Sequence, residues 1–373
     1  MATEQCSARP PDCLPLPSAF LVRYRCRDLA ARQERRRIML DRLTELAAES
    51  LRRDNPALEQ VRIVGLEETG GQPSYRQWSV RLTWLAGGMR YLDTFVARTV
   101  PGAADPSRLS ELGHRLDAAG IRVPALVGVS ADPIQSLLLF ETAPGQPAAR
   151  VLAHTRLRWE ISALAVTLAR ALASLHRLDW HSIAPWLADR DTPPEDVIDE
   201  QVDTLIEGLA TRTERLPSSW REAIVRALAW LDLRRPVMSP LCLCHGGFSL
   251  DTVFLDHDEI SGLYGWERAH VSDPATDLAL LPYQARHLGL SPDDADLFLQ
   301  TLLASYLQLS PHSLENLPFY VVAQLAALAL DTADAALAWD STATLEAATQ
   351  FTEVLAALHR ATQLADHTPW RSG

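Results

Sequence analysis

Two short segments near the middle of the chain gather residue types that can support acid–base or metal chemistry. Residues 245–252 read HGGFSLDT, and residues 261–267 read SGLYGWE. They contribute one histidine, His245, and two carboxylates, Asp251 and Glu267. A histidine can accept or donate a proton near neutral pH, and carboxylates can act as bases or as hard oxygen ligands of Mg²⁺. The two segments are therefore candidates for a functional site.

The patterning of the chain predicts which elements position these segments. Residues 78–84 alternate apolar and polar side chains, which is typical of a strand, and Gly87-Gly88 is typical of a hairpin turn. Beyond Gly145, leucines at spacings of three and four from Leu164 to Leu178 predict a long buried helix. Residues 241–271 read as a strand-loop-strand insert among such helices. We therefore predict an α+β fold, with a small antiparallel β lobe followed by a larger, mainly helical lobe.

Composition limits the classes of function. The 373 residues carry a formal net charge of −12, which argues against general affinity for nucleic acid. No apolar run approaches the roughly 18 residues that a membrane span requires, and residues 1–17 lack a signal-peptide pattern. Five cysteines without a CxxC pair suit reduced thiols, so we expect a cytoplasmic protein with no membrane or nucleic-acid partner. Cys242 and Cys244 beside His245 could suggest a metal, but a buried strand entering a loop explains them more simply.

The two central segments resemble motifs of the aminoglycoside phosphotransferase and choline kinase-like superfamily, in the branch whose catalytic loop has the form HGDxRLDN. The second motif of that superfamily, IDWExAxxGDPxxDLA, is matched by Trp266, Glu267, Ala269, Asp273, Pro274, Asp277, Leu278 and Ala279. The resemblance covers roughly residues 60–340 and implies a bilobal protein-kinase-like fold. We then expect an N-terminal arm and helix over 1–59, a kinase-like N-lobe over 60–143, and a helical C-lobe over 144–373 that carries the catalytic-loop remnant at 241–279.

The resemblance also implies a set of nucleotide-binding residues in the N-lobe. Arg98 lies where the strand of the family presents its phosphate-binding cation, and Glu111 where the helix glutamate that pairs with this cation falls. Glu141 lies at the hinge between the lobes. Gly70-Gly71, with Ser74, matches the turn that covers the phosphates, although a plain hairpin turn explains the two glycines equally well.

The departures from the family pattern fall on the chemistry. The aspartate expected as catalytic base is Gly247, the asparagine expected to bind magnesium is Thr252, and the second metal-binding aspartate is Gly265. Loss of one such group commonly lowers a rate by orders of magnitude. We therefore expect no functional metal site and almost no ordinary ATP-dependent transfer, whereas binding of ATP or another nucleotide without a productive Mg²⁺ site stays conceivable.

Two functions from different classes follow. The first is a pseudokinase that acts by binding, as a scaffold or activating subunit for another enzyme, for example in a biosynthetic pathway, or as a binder of a small molecule or peptide. The second is an active phosphotransferase, or another kinase-fold reaction, that uses relocated acids such as Asp251 and Glu267, with His245 as a further candidate. The alternative interpretation is that these three residues have structural and not catalytic roles. The sequence leaves the partner and the oligomeric state open.

Overall fold

The computed structural model describes residues 37–53, 55–72, 75–189, 191–237, 239–337 and 341–367. Residues 1–36 of the predicted N-terminal arm and helix, and Ser74, lie outside these residues. A helix, α1, occupies residues 37–53.

The N-lobe contains a five-stranded antiparallel sheet with the strand order β1-β2-β3-β5-β4. The strands are β1 (Glu59–Gln72), β2 (Tyr75–Ala86), β3 (Met89–Pro101), β4 (Leu126–Ser130) and β5 (Gln135–Glu141). Helix α2 (Pro106–Ala118) connects β3 to β4, and its cap is Asp105, whose carboxylate accepts hydrogen bonds from two backbone N–H groups of the first turn. Proline at the first helical position reinforces this start.

Helix α1 packs on one face of this sheet. Leu43 and Leu46 share a buried cluster with Trp78 and Val80 of β2. The approach is close: a Cβ added to Gly128 of β4 would lie 2.0 Å from the hydroxyl of Ser50. The packing therefore joins α1 to the N-lobe core, whereas the sequence-based boundary at residue 59 separates them.

The C-lobe is mainly helical and holds the larger core. Its helices are α3 (Ala148–His154), α4 (Arg158–His176), α5 (Trp180–Ile183), α6 (Pro194–Thr213), α7 (Ser218–Leu233), α8 (Ala275–Leu278), α9 (Leu281–His287), α10 (Pro292–Leu309), α11 (Leu317–Leu337) and α12 (Ser341–His367). The predicted α+β class, with an antiparallel β lobe and a helical lobe, is confirmed. Across the described ranges, no helix is both long enough and apolar enough to cross a membrane.

The candidate site lies on short strands inserted among the helices. They are β6 (Gln146–Pro147), β7 (Cys242–Cys244), β8 (Val253–Asp256), β9 (Glu259–Leu263) and β10 (His270–Ser272). Strand β7 pairs with β10, and β6, β8 and β9 form a small antiparallel sheet. The loop from β7 to β8 and the loop from β9 to β10 therefore start from paired strands and face each other.

Candidate functional site

His245, which follows β7, braces the backbone of its own loop. Its Nε2 donates to the carbonyl of Tyr264 at 2.8 Å, and its Nδ1 accepts from the N–H of Gly247 at 3.2 Å. Complete burial lowers the pKa of His245 to about 4, so the ring is neutral at pH 7. With both nitrogens bonded and no exposure to solvent, His245 has no free atom with which to act as a general base.

Asp277 anchors the loop from below. Its carboxylate accepts from the backbone N–H groups of His245 at 2.7 Å and Gly246 at 2.9 Å, and from Nε2 of His176 at 3.2 Å. Burial acts to raise the pKa of Asp277, but the hydrogen bond and charge of His176, with the contribution of His245, outweigh it and lower that pKa. Gly246 has φ +76°, and an added Cβ would lie 1.9 Å from the carbonyl oxygen of Arg268. Only glycine fits this turn.

Thr252 closes the loop instead of facing a ligand. Its hydroxyl donates to the carbonyl of Ser249 at 2.9 Å and accepts from the N–H of Ser249 at 3.1 Å. The side chain is completely buried. These two bonds use the hydroxyl as a turn-closing group, so it is not available as a metal ligand in this conformation.

The two glycines that replace aspartates have different surroundings. A Cβ added to Gly247 would make only ordinary contacts, the nearest at 3.9 Å. Gly265 instead has φ +102°, and its Cβ would lie 3.0 Å from Cε1 of His245 and 3.2 Å from Nη2 of Arg98. A side chain at 247 is therefore sterically acceptable, whereas position 265 requires glycine because of its backbone and because its neighbours fill the space.

Arg98 is buried against the C-lobe and paired with Glu267. Its Nη2 lies 2.9 Å from Oε1 of Glu267, and the side chains are 2% and 6% exposed. The predicted pair of Arg98 with Glu111 is wrong: Glu111 lies on the exposed part of α2 and pairs with Arg115 one turn along the same helix. The physical reason is the direction of the two side chains. Arg98 points from β3 toward the loop after β9, whereas Glu111 lies on the solvent-exposed face of α2.

Two side chains of β2, Tyr75 and Gln77, cover the Arg98–Glu267 pair. Oε1 of Gln77 accepts from Nη1 of Arg98 at 2.6 Å, and the ring of Tyr75 lies 4.6 Å from the guanidinium carbon. Gln77 Nε2 also donates to the carbonyl of Asp251 at 3.4 Å. Both β2 side chains are buried. The sequence analysis missed Tyr75 and Gln77, although a glutamine on the inward face of a strand could have been noticed as a buried polar group that needs partners.

Asp251 lies against the end of β1. A Cβ added to Gly70 would be 3.0 Å from that of Asp251, so the glycine permits β1 to approach the loop. Burial raises the pKa of Asp251 to about 6, and the charge of Arg98 opposes this rise only in part. Because the pKa is higher in the folded than in the unfolded state, the resulting stabilisation is fully present below about pH 4 and is lost as the pH rises through about 6.

An Asp251→Asn variant should therefore be more stable than the native protein at pH 7, by about 3 kcal/mol. The difference should shrink to near zero at pH 4, where the native carboxyl is already protonated. Urea unfolding of both proteins between pH 4 and pH 8 measures it. An Asp258→Asn variant, altered at an exposed carboxylate between β8 and β9, is the control and should show no such pH dependence. A native protein that gains relative stability above pH 6 would contradict the assignment.

The backbone of the hinge at Glu141 is hydrogen-bonded by a side chain of the protein itself, that of Tyr264. The hydroxyl of Tyr264 donates to the carbonyl of Glu141 at 2.8 Å and accepts from the N–H of Ala143 at 2.7 Å. The Tyr264 ring packs edge-on against Phe140 and Phe254, at 5.8 and 5.0 Å between centroids. Tyr264 is 1% exposed. Tyr264 was not predicted from the sequence; its signal was a tyrosine directly after β9 and within the second central segment, because a buried phenol needs a polar partner.

The residues present do not fit a magnesium ion. Position 265 offers no carboxylate, Thr252 is bonded to its own loop, and Oε1 of Glu267 is bound to a guanidinium. Oε2 of Glu267 lacks a hydrogen-bond partner among the described atoms, yet a divalent cation there would lie beside the positive charge of Arg98. Magnesium usually requires one or two carboxylates free of such competition.

A second group of ligand-type residues lies behind the loop. His176, Cys242 and Cys244 bring one ligand atom each within 4.8 Å of one another, and all three are buried. However, Nδ1 of His176 bonds the hydroxyl of Tyr306 and its Nε2 bonds Asp277, so neither nitrogen has a free lone pair. Burial raises the pKa of both thiols, which keeps them protonated. The arrangement favours the buried-strand interpretation of the cysteines.

Comparison with known proteins relates this geometry to one family. The profile of the phosphotransferase enzyme family matches residues 76–317. An aminoglycoside 3'-phosphotransferase of Streptomyces ribosidificus is 30% identical over 178 residues, which are 47% of this chain and 62% of that protein. A second, from Streptomyces fradiae, is 28% identical over 216 residues, covering 56% of this chain and 76% of the relative. The first match thus spans less than two thirds of the relative's length.

Solved structures show the same fold. A protein of the aminoglycoside phosphotransferase type from Ralstonia eutropha JMP134 superposes with a TM-score of 0.58 at 16% identity, covering 85% of this chain and 97% of that one. A thermostable mutant of aminoglycoside phosphotransferase APH(4)-Ia, in complex with AMP-PNP and hygromycin B, gives 0.53 at 15% identity, covering 84% and 97%. At these identities the likeness concerns the fold alone.

Proposed function

Because the chain belongs to the phosphotransferase enzyme family, we propose that it is a catalytically inactive member, a pseudokinase that acts by binding and not by transferring phosphate. The observation that carries the proposal is that the protein's own side chains fill both halves of the nucleotide cleft. Arg98 and Glu267 occupy the phosphate end, and Tyr264 occupies the hinge. A scaffold or activating role toward another enzyme is the form of binding that we favour.

The phosphate end supports the proposal through the state of its cation. Arg98 is the residue that the family would present to phosphate, but its charge is neutralised by Glu267 and its exposure is 2%. A phosphate could reach it only after Tyr75 and Gln77 moved away and the carboxylate of Glu267 lost its partner. Breaking a buried pair in this way costs about 3–5 kcal/mol, which a weakly bound nucleotide does not offset.

The hinge supports the proposal through its hydrogen bonds. A nucleotide base bound there would need the backbone groups of the hinge as partners, and Tyr264 already bonds the carbonyl of Glu141 and the N–H of Ala143. Its ring fills the space between Phe140 and Phe254 that a planar base would take. The base and the tyrosine therefore compete for one position.

The alternative, an active enzyme with relocated acids, receives less support. The carboxylate of Glu267 is bound to Arg98, His245 uses both ring nitrogens, and Asp251 is covered by the end of β1 at Gly70. Each of the three candidate groups is therefore hydrogen-bonded or covered by other residues. In addition, position 265 is glycine and supplies no carboxylate that could bind a metal beside them.

Thermal unfolding with nucleotide tests the proposal. A ligand that binds only the folded state stabilises it by about 2.7 kcal/mol at one hundred times its dissociation constant. We expect ATP, ADP and GTP to leave the melting temperature of the native protein unchanged, with or without magnesium, and we expect no ATP hydrolysis. A rise that requires magnesium, or metal-dependent hydrolysis that is lost in Asp251→Ala, would refute the proposal.

A variant that removes the Tyr264 ring from the hinge provides a test with a positive result. Tyr264→Ala removes the ring between Phe140 and Phe254 and frees two backbone groups, so adenosine should raise its melting temperature while leaving the native protein unaffected. Tyr320→Ala, which opens a cavity at another buried tyrosine, on α11, is the matched control and should not respond to adenosine. Equal responses of native protein and Tyr264→Ala would contradict occupation of the hinge by Tyr264.

A further inference from the structure

A cavity of about 510 Å³ lies between helices α9, α10, α11 and α12, apart from the filled cleft. Its walls are mostly apolar, with Leu299 and Leu303 from α10 and Leu317, Val321 and Leu325 from α11. The volume lies in the range of small-molecule binding sites, which combine apolar walls with a few polar groups. The shape and lining are therefore those of a ligand pocket.

The charged groups at the rim leave one cation uncompensated. Arg286 of α9 pairs with Asp296 of α10 at 2.8 Å, which accounts for the carboxylate in the lining. Arg360 of α12 also lines the pocket, is exposed, and forms no ion pair with any described residue.

Two aromatic rings of α9 also line the pocket. The ring of Tyr283 stacks on that of His287 with 4.0 Å between centroids. Burial raises the pKa of Tyr283 to about 12, with a further contribution from Glu353, so the phenol is uncharged at pH 7. Glu353 lies on α12, two turns before Arg360, and is not part of the lining.

We propose that this pocket binds a small amphipathic anion, with an apolar body between α10 and α11 and one carboxylate, sulfonate or phosphate group bound to Arg360. An aminoglycoside is a polar polycation and would need several unpaired carboxylates, whereas the one carboxylate in the lining is already bound to Arg286. The apolar walls and the free guanidinium are complementary to the opposite kind of ligand. This inference supplies a ligand class for the proposed binding role and rests on it.

The pocket is connected to the loop that follows β7. Gln284, beside Tyr283 on α9, accepts a hydrogen bond from the N–H of Leu250 at 3.1 Å. A ligand that packs against α9 thus contacts the helix that holds this loop. Occupancy of the pocket should therefore stabilise the loop as well as the helices.

The experiment is a fluorescence titration of the full chain with 8-anilinonaphthalene-1-sulfonate, an aromatic sulfonate, followed by displacement. Undecanoate should displace the probe at a concentration at least about tenfold lower than decyltrimethylammonium, which has the same tail and the opposite charge. Arg360→Gln should weaken binding of the sulfonate about tenfold, and Leu303→Trp, which fills the cavity, should abolish it. Arg170→Gln removes an exposed arginine from α4 and should change nothing.

Specific results would overturn the inference. Equal displacement by both surfactants would remove the charge complementarity, and unchanged binding in Leu303→Trp would place the probe elsewhere. Circular dichroism and melting temperature establish that each variant is folded; if Leu303→Trp does not fold, Leu303→Phe gives the same test. The assay contains no nucleotide, so its failure is distinguishable from failure of the pseudokinase proposal, which only nucleotide binding or hydrolysis refutes.

Discussion

A Glu267→Gln variant should lose about 3–5 kcal/mol of unfolding free energy in urea, because it leaves the Arg98 guanidinium buried without a counter-charge. The substitution keeps the size and shape of the side chain, so the loss reports the charge and not a cavity. Arg98 is 2% exposed and receives only Gln77 and the face of Tyr75 as other partners. Neither of these neutral groups replaces a carboxylate.

The chain contains a matched control for this substitution. Glu111→Gln makes the same chemical change in an exposed pair with Arg115, where both side chains are more than a third exposed. Exposed pairs contribute about 0–1 kcal/mol, so this variant should remain close to the native protein. Equal losses in the two glutamine variants would show that the Arg98–Glu267 pair is not buried. The double variant Arg98→Met/Glu267→Leu should lose much less than Glu267→Gln, because it leaves no unpaired charge.

Restoring aspartate at the two glycine positions should have opposite consequences. Gly265→Asp should destabilise the protein by about 2–4 kcal/mol, because φ of +102° strains any side chain and because the new Cβ would contact His245 and Arg98. The added carboxylate gains little from Arg98, since that cation is already shared with Glu267. Gly247→Asp should change stability by less than about 1 kcal/mol, since its Cβ makes ordinary contacts.

Thermal or urea unfolding of both aspartate variants measures this contrast, and each serves as the control for the other. We also expect no ATP hydrolysis from Gly247→Asp, since the added carboxylate does not remove Arg98, Glu267 or Tyr264 from the cleft. A stable Gly265→Asp protein would contradict the described backbone at 265. ATP hydrolysis by Gly247→Asp would contradict occupation of the cleft.

The fold class could be predicted from the chain because its signals are local. Alternation in β2, the Asp105-Pro106 helix start and the leucine spacing of α4 each indicate one element, and the structure contains all three. The attachment of α1 to the sheet was not predictable in the same way, because it depends on the packing of distant residues such as Ser50 and Gly128.

The candidate site likewise has features that could be predicted from the sequence and features that could not. That Gly247, Thr252 and Gly265 cannot supply carboxylates follows from residue type alone, and no arrangement of the backbone changes it. That Arg98 bonds Glu267 instead of Glu111 does not follow, because the two glutamates are 169 and 13 positions away and charge gives no preference.

The sequence by itself thus determined the family resemblance, the two-lobed α+β plan and the loss of three chemical groups, because each depends on residue types and short-range periodicity. Only the tertiary structure decided that Arg98 bonds Glu267, that Tyr264 bonds the hinge backbone, and that α9 to α12 enclose an apolar pocket lined by Arg360. The physical reason is that these features arise where elements far apart in sequence pack together, and burial there sets which polar groups must find partners.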